Sequence, residues 1–255
     1  MKTALVTGST DGLGRAVAAR LAASGARVLV HGRNAAKAYG EFYRADLASL
    51  AEVRALARDV SSACERLNLL INNAGVGFGA PGAFRELSRD GHELRFAVNY
   101  LAPFLLTRLL LPLLRASSPA RIVNVASIGQ SRIDFEDLMF ERGYDGQRAY
   151  GRSKLALIMF TFDLAEALKG SGVTANALHP ATLMNTRMVA EAQMAPRTSV
   201  EEGAAAVMHL AASPELEGVS GELFDGRQRS RAASQAYDRA ARERLRALSE
   251  ELTRE

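Results

Sequence analysis

Thr3-Ala4-Leu5-Val6-Thr7-Gly8-Ser9-Thr10-Asp11-Gly12-Leu13-Gly14 runs from an apolar stretch through a glycine-rich turn into a helical pattern with Leu13, Val17 and Leu21 on one face, ended by Gly25. The near-continuous apolar character of Ala4-Leu5-Val6 is that of a strand buried on both faces. Glycines after such a strand permit a tight turn, remove side chains where a pyrophosphate must approach, and let the helix pack on the sheet. The helix N-terminus behind them presents free N–H groups and a positive dipole end to a phosphate. The spacing departs from the usual dinucleotide G-x-G-x-x-G, with three residues in the first gap and one in the second. Its place between the first strand and first helix of a βαβ unit is what points to a nucleotide.

Outward from this stretch, short apolar strands alternate with helical patterns to the end of the chain. Arg27–His31 reads as a second strand, Phe42–Ala45 as a third, Leu69–Asn72 as a fourth, Arg121–Val125 as a fifth, Val173–Leu178 as a sixth and Glu222–Phe224 as a short seventh. Such alternation gives a parallel sheet covered on both sides. The expected fold is α/β, a single doubly wound Rossmann-type domain over residues 1–255, with about seven mostly parallel strands and helices on both faces. A long helix is expected from Asp90 to Leu114, bent or broken near Pro103 and Pro112. Ser199 and Glu202 form a capping box that opens a helix toward Ala212. A helical tail is expected from about 230 to 255, with Tyr237, Ala241, Leu245 and Leu248 on one side, docked on the domain or on a neighbouring subunit.

The 255 residues are 48% hydrophobic and 24% charged, which suits a folded globular protein. One cysteine, Cys64, excludes an internal disulfide, and four scattered histidines offer no metal site. The net charge is +4, but arginines alternate with acids, as in Asp238-Arg239-Ala240-Ala241-Arg242-Glu243-Arg244, so a solvated face is expected and no nucleic-acid partner. The apolar stretch Phe104 to Leu114 is short for a membrane span and contains Arg108 and Pro112. With no charged leader before Thr3, a cytoplasmic protein without a membrane partner is expected.

Nineteen residues after Gly14 stands Arg33, and no acidic residue lies between Asp11 and Glu41. An acid near that position holds a ribose 2′-hydroxyl, whereas an arginine pairs with a 2′-phosphate. NADP is therefore expected over NAD. Farther on, Tyr150-Gly151-Arg152-Ser153-Lys154 places a tyrosine and a lysine four residues apart, on one face of a helix. At about 4 Å and an effective dielectric of about 20, the lysine favours the phenolate by about 4 kcal/mol, roughly three pK units. That brings the phenol near neutrality, where it can exchange protons with an alcohol or carbonyl. Taken alone, the pair is also what a solvated helix face carries.

Together these residues resemble the short-chain dehydrogenase/reductase family over nearly the whole chain. Gly8, Gly12 and Gly14 match the family's T-G-x-x-x-G-x-G, Asn72-Asn73-Ala74-Gly75 its N-N-A-G, and Tyr150 with Lys154 its Y-x-x-x-K. Asn99 and Ser127 match its asparagine and serine. The resemblance implies a cofactor held by Gly8, Thr10, Asp11, Gly12, Leu13 and Gly14 at the pyrophosphate, with Arg33, Asp46 and Leu47 at the adenosine end. It adds Asn73, Ala74 and Gly75, then Tyr150, Lys154, Pro180 and either Thr182 or Thr186 toward the nicotinamide. It implies Tyr150 as general acid/base and Lys154 lowering its pKa. Ser127 would orient the substrate oxygen, and Asn99 would support a proton relay.

Departures from the pattern are informative. Twelve residues between Arg33 and Asp46 leave little room for the usual second helix, and the 23-position step from Ser127 to Tyr150 holds an insertion resembling the retinol-dehydrogenase-like branch of carbonyl reductases. After the sixth strand, His179-Pro180-Ala181-Thr182 replaces the usual Pro-Gly, and alanine adopts a positive φ less readily. The implied function is NADP(H)-dependent interconversion of a small-molecule carbonyl and alcohol. The substrate site would be framed by 128–149, Val76–Phe84 and a methionine-rich segment, Thr182–Arg197. A non-catalytic NADP-sensing or scaffold protein on the same fold is the alternative, and homo-oligomerisation is left open.

Overall fold

The computed structural model describes residues 2–254. Eight strands form one sheet in the order β3-β2-β1-β4-β5-β6-β7-β8. They are β1 (Thr3–Val6), β2 (Arg27–Gly32), β3 (Glu41–Arg44), β4 (Leu69–Asn72), β5 (Ala120–Val125), β6 (Val173–His179), β7 (Leu223–Asp225) and β8 (Gln228–Ser230). All neighbours pair in parallel except β8, which turns back antiparallel on β7. The seven expected strands are thus present, and an eighth, unexpected, ends where the helical tail was expected to begin.

Side-chain alternation along β1 splits the core into two layers. Ala4 and Val6 face one side, with Leu13, Val17 and Leu21 of α1 (Gly12–Ala23) and Ala204 and Val207 of α7 (Val200–Ala212). Leu5 faces the other, with α2 (Leu50–Ala63), α4 (Ala102–Ala116) and α5 (Gly146–Ala167). A short α6 (Arg187–Glu191) lies between β6 and α7. The Ser199 hydroxyl accepts the Glu202 N–H, as the capping box requires. Between β2 and β3 there is only a single 3-10 turn, Ala35–Lys37, as the short spacing implied.

The long helix differs from its expectation. It begins at α3 (Leu94–Phe96), capped by the Glu93 carboxylate; Asp90 instead accepts the Leu50 N–H at the start of α2. A π turn, Ala97–Leu101, then leads into α4, which continues through Pro112. The π turn has a local cause. In a regular helix residue 103 donates to the carbonyl of residue 99, and Pro103 has no N–H to give. The whole run Leu94–Ala116 is long and apolar enough to cross a membrane by composition, but 72% of its most apolar window is buried inside the domain. Its apolar faces are taken up by core packing.

The tail docks on the domain. After β8 and a 3-10 turn at Ser234–Tyr237, α8 (Arg239–Leu252) starts at Asp238, whose side chain accepts the Ala241 N–H. It packs Ala241 and Leu245 into the core, while Tyr237 stays exposed. The nearly buried Arg242 guanidinium pairs with Asp163 at 2.7 Å and Glu166 at 2.9 Å on α5. Truncating one partner of a buried pair leaves the other charge uncompensated. Arg242→Ala should therefore lower stability by about 3 kcal/mol, read as a reduced urea midpoint with unchanged slope.

Candidate functional site

The glycine loop between β1 and α1 is locked to the end of β4. The Asn73 and Ala74 N–H groups both donate to the Thr7 hydroxyl at 3.0 Å. The Asn73 amide donates to the carbonyls of Thr7 (2.8 Å) and Gly8 (3.2 Å). A Cβ on Gly14 would lie 2.2 Å from the Gly8 carbonyl oxygen and 2.5 Å from Asn73 Nδ2, so only glycine fits. Gly8 and Gly12 hold positive φ of 64° and 47°.

Several residues expected to meet a cofactor are otherwise engaged through their side chains. Leu13 is buried in the core layer with Val17 and Ala204, because the first turn of α1 must pack on the sheet. Asp11 caps α1, accepting the Gly12 N–H at 2.9 Å, and forms an ion pair with Lys37. Asp46 accepts the Ala48 N–H, and Leu47 is buried in the core. Thr10 packs against Gly32 beside the exposed Arg33. Asn73 turns its amide into the glycine loop. Pro180 is buried. The Thr182 hydroxyl bonds His179 Nε2 at 3.0 Å, whereas the Thr186 methyl lies over Gly12, so Thr186 is the one beside the loop. In the turn after β6 the positive φ falls on Leu183, at 50°, and Ala181 has none.

Ser127, Tyr150, Lys154 and Asn99 gather beyond the ends of β4 and β5. A Cβ on Gly75 would stand 3.2 Å from Asn99 Oδ1 and 3.6 Å from Lys154 Nζ. Asn99 is fully buried: it accepts the Val76 N–H at 2.7 Å and donates to the Val76 carbonyl and the Ser153 hydroxyl, both at 3.0 Å. Lys154, 3% exposed, donates to the Val125 carbonyl at 2.8 Å and lies 5.6 Å from the centre of the Tyr150 ring. Ser127 accepts the Gly129 N–H at 3.0 Å.

The electrostatics correct one expectation. Burial pushes the Tyr150 phenol above its ordinary value, with the neighbouring Ser127 hydroxyl pulling it partly back. Burial also lowers the Lys154 ammonium to about 8. A Coulomb attraction toward phenolate assumed two ions already in place. Here the lysine reaches for a backbone carbonyl, and desolvation penalises both charged forms.

Sequence reading missed three residues at the glycine loop. Tyr39 donates its hydroxyl to the Ser9 carbonyl at 2.8 Å, Arg15 lies over the Tyr39 ring at 5.3 Å, and Lys37 meets Asp11. His31 was passed over as a strand residue, yet a histidine closing Val28-Leu29-Val30 signals a buried polar group that needs partners. The Gly8 N–H donates to His31 Nδ1 at 3.0 Å, so Nε2 carries the proton and donates to the Ala45 carbonyl at 3.2 Å.

A family profile described as short chain dehydrogenase matches residues 2–198. The chain belongs to this family. Mouse retinol dehydrogenase 13 is 38% identical over 96% of this chain and 81% of its own length. Human retinol dehydrogenase 14 is also 38% identical, over 98% and 85%. A solved structure described as the Pseudomonas aeruginosa RhlG/NADP active-site complex is 30% identical, covers 88% of this chain and 94% of its own, and superposes with a TM-score of 0.71. The fold is thus that of a short-chain oxidoreductase, and the chain is retinol-dehydrogenase-like.

Two outcomes test this geometry. Gly14→Ala should cost about 1–3 kcal/mol of stability through overpacking, measured by urea unfolding. Burial lowers the His31 imidazole from its ordinary 6.5 to about 4. Between those values the unfolded chain binds a proton that the folded one does not, so this contribution is complete above 6.5 and is lost as pH falls toward 4. Stability should drop across that window with a slope approaching about 1.4 kcal/mol per pH unit from this group. His31→Asn should have a shallower profile in urea titrations at stepped pH; an equally steep profile would refute the assignment.

Proposed function

We propose that the protein is an NADP(H)-dependent oxidoreductase interconverting an apolar carbonyl and its alcohol. The observation that carries this reading is the gathering of Ser127, Tyr150, Lys154 and Asn99, of which Asn99 and Lys154 meet Gly75, two residues from the amide that holds the glycine loop. The loop also fits a dinucleotide: at Gly14 no side chain can intrude, and the α1 N-terminus opens behind it. Gly8, Gly12, Gly14 and Thr186 would hold the pyrophosphate, with Arg33 and Lys37 toward the 2′-phosphate and Lys154 at the nicotinamide ribose. The NADP named in the Pseudomonas complex supports this choice.

Bound nicotinamide would supply or accept the hydride. Tyr150 Oη would donate a proton to the carbonyl oxygen in reduction and take it back in oxidation, with Ser127 Oγ holding that oxygen. Burial keeps the phenol protonated at neutral pH, so the acid needed for reduction is the resting form. Lys154 and Asn99 would connect Tyr150 to the proton supply, the Asn99 carbonyl being the one that Pro103 cannot bond. The relatives' names, retinol and polyprenol dehydrogenase, support an apolar alcohol as substrate.

Tyr150→Phe should reduce turnover at least about 100-fold while NADPH still binds; retained turnover in a ketone and aldehyde panel would refute the acid/base role. Arg33→Asp should shift the ratio of NADPH to NADH affinity by about tenfold or more toward NADH. Carbonyl reduction should be level from pH 6 to about 8, and alcohol oxidation should rise with pH over the same range, because oxidation needs the deprotonated phenol. An oxidation optimum below pH 7 would contradict the pKa directions given above.

A further inference from the structure

One aromatic side chain touches the proposed acid/base residue from a loop of its own. The Phe78 ring meets Tyr150 edge to face, with centroids 5.8 Å apart and planes at 78°. Phe78 lies between β4 and α3, and its carbonyl faces the first residue of the Tyr150 helix: a Cβ on Gly146 would stand 2.3 Å from it. The next residue, Gly79, has φ of 79° and rests on Arg95, with Nη2 3.0 Å from where a Cβ would be.

Arg95 belongs to a buried cluster that ties this loop to the start of α5. The Arg95 and Glu93 side chains are each 2% exposed. Arg95 Nη1 donates to the Tyr144 hydroxyl at 2.6 Å and to Glu93 at 3.4 Å, and the Tyr144 hydroxyl donates to Glu93 at 2.9 Å. Glu93 also accepts the Phe96 N–H at 2.7 Å. Tyr144 immediately precedes Asp145, the residue that caps the Tyr150 helix. Burial, then the Glu93 charge, pushes the Tyr144 phenol up, so it remains a neutral donor. Arg85 adds a second tie, donating to the Met139 carbonyl of the insertion at 2.9 Å.

Core stability alone does not call for such a cluster, since apolar residues of similar volume commonly replace a buried ion pair at no loss. What a hydrogen-bonded charge cluster adds is fixed relative position. Here the parts so fixed are the loop carrying Phe78 and the helix carrying Tyr150. We infer that Phe78 is the apolar wall that selects carbonyl substrates by bulk, and that Glu93, Arg95 and Tyr144 are positioning residues that hold it against Tyr150. This rests on the proposed function.

The test uses the full chain, NADPH and a ketone series of increasing bulk. Tyr144→Phe removes one hydroxyl and leaves the Arg95–Glu93 pair, while Phe78→Ala opens the wall. NADPH affinity should stay within about twofold in both, because neither side chain touches the glycine loop. Phe78→Ala should move the kcat/KM ratio of the bulkiest to the smallest ketone by about tenfold toward the bulky one. Tyr144→Phe should move it in the same direction by less, and the double variant should match Phe78→Ala alone, because Tyr144 acts through Phe78. An unchanged ratio in an active Phe78→Ala enzyme overturns the wall, and additive effects in the double variant overturn the positioning role. Wild-type protein that binds NADPH and reduces no ketone or aldehyde overturns the proposed function and this inference with it.

Discussion

Thr7 and Asn73 join the ends of the two central strands, and the rest of the site is measured from that joint. One threonine hydroxyl takes two backbone N–H groups from the end of β4, and the Asn73 amide returns two bonds to the glycine loop. Strand order reverses between β1 and β4, the place where open α/β sheets leave a crevice at their carboxyl ends. Gly14 then has no room for a side chain, so the loop keeps one shape. Two residues past Asn73, Gly75 faces Asn99 and Lys154. The glycine loop and the buried Asn99–Lys154 group are therefore two sides of one short segment, 72–75. A shift of either would be felt by the other.

Around that segment, burial decides the charge states more than pairing does. Two unit charges at about 4 Å attract by about 4 kcal/mol at an effective dielectric of about 20. Taking each ion out of water costs several kcal/mol on its own. Lys154 is almost wholly enclosed and spends one donor on the Val125 carbonyl. Tyr150 is left with a hydroxyl neighbour, Ser127, as its main stabilising partner. The resting site thus holds a neutral phenol beside an ammonium that releases its proton more readily than usual.

The parts of the fold legible from sequence were those written in short-range pattern. Ala4-Leu5-Val6 and Leu69-Leu70-Ile71 are apolar without interruption because both faces are covered, and the structure puts them side by side at the sheet centre. Tyr150 and Lys154 were found by spacing, Ser127 and Asn99 through the family resemblance, and the four do gather in one place. Illegible were choices made by tertiary contact. Gln228–Ser230 has little strand character and pairs because β7 leaves an edge beside it. The local role of Asp11 and Asp46 was also hidden: each serves a backbone N–H close in sequence, as short polar side chains at turns do. His31 lies in β2 as expected, but its bonding role was hidden because its partners, Gly8 and Ala45, are distant in the chain.

The same reasoning explains the link between β2 and β3. A full helix between β2 and β3 would carry the intervening residues out over the sheet's flank. With a single turn in its place, Lys37 and Tyr39 fall back onto the glycine loop, and Tyr39 reaches the Ser9 carbonyl. Arg15, on α1, closes over the Tyr39 ring. Arg15 and Lys37 then stand near the loop by the carboxylate of Asp11, which Lys37 and the helix N-terminus already neutralise. The shortened link therefore does more than remove a helix: it supplies a cation from the link itself, which spacing counted from the glycines could not reveal.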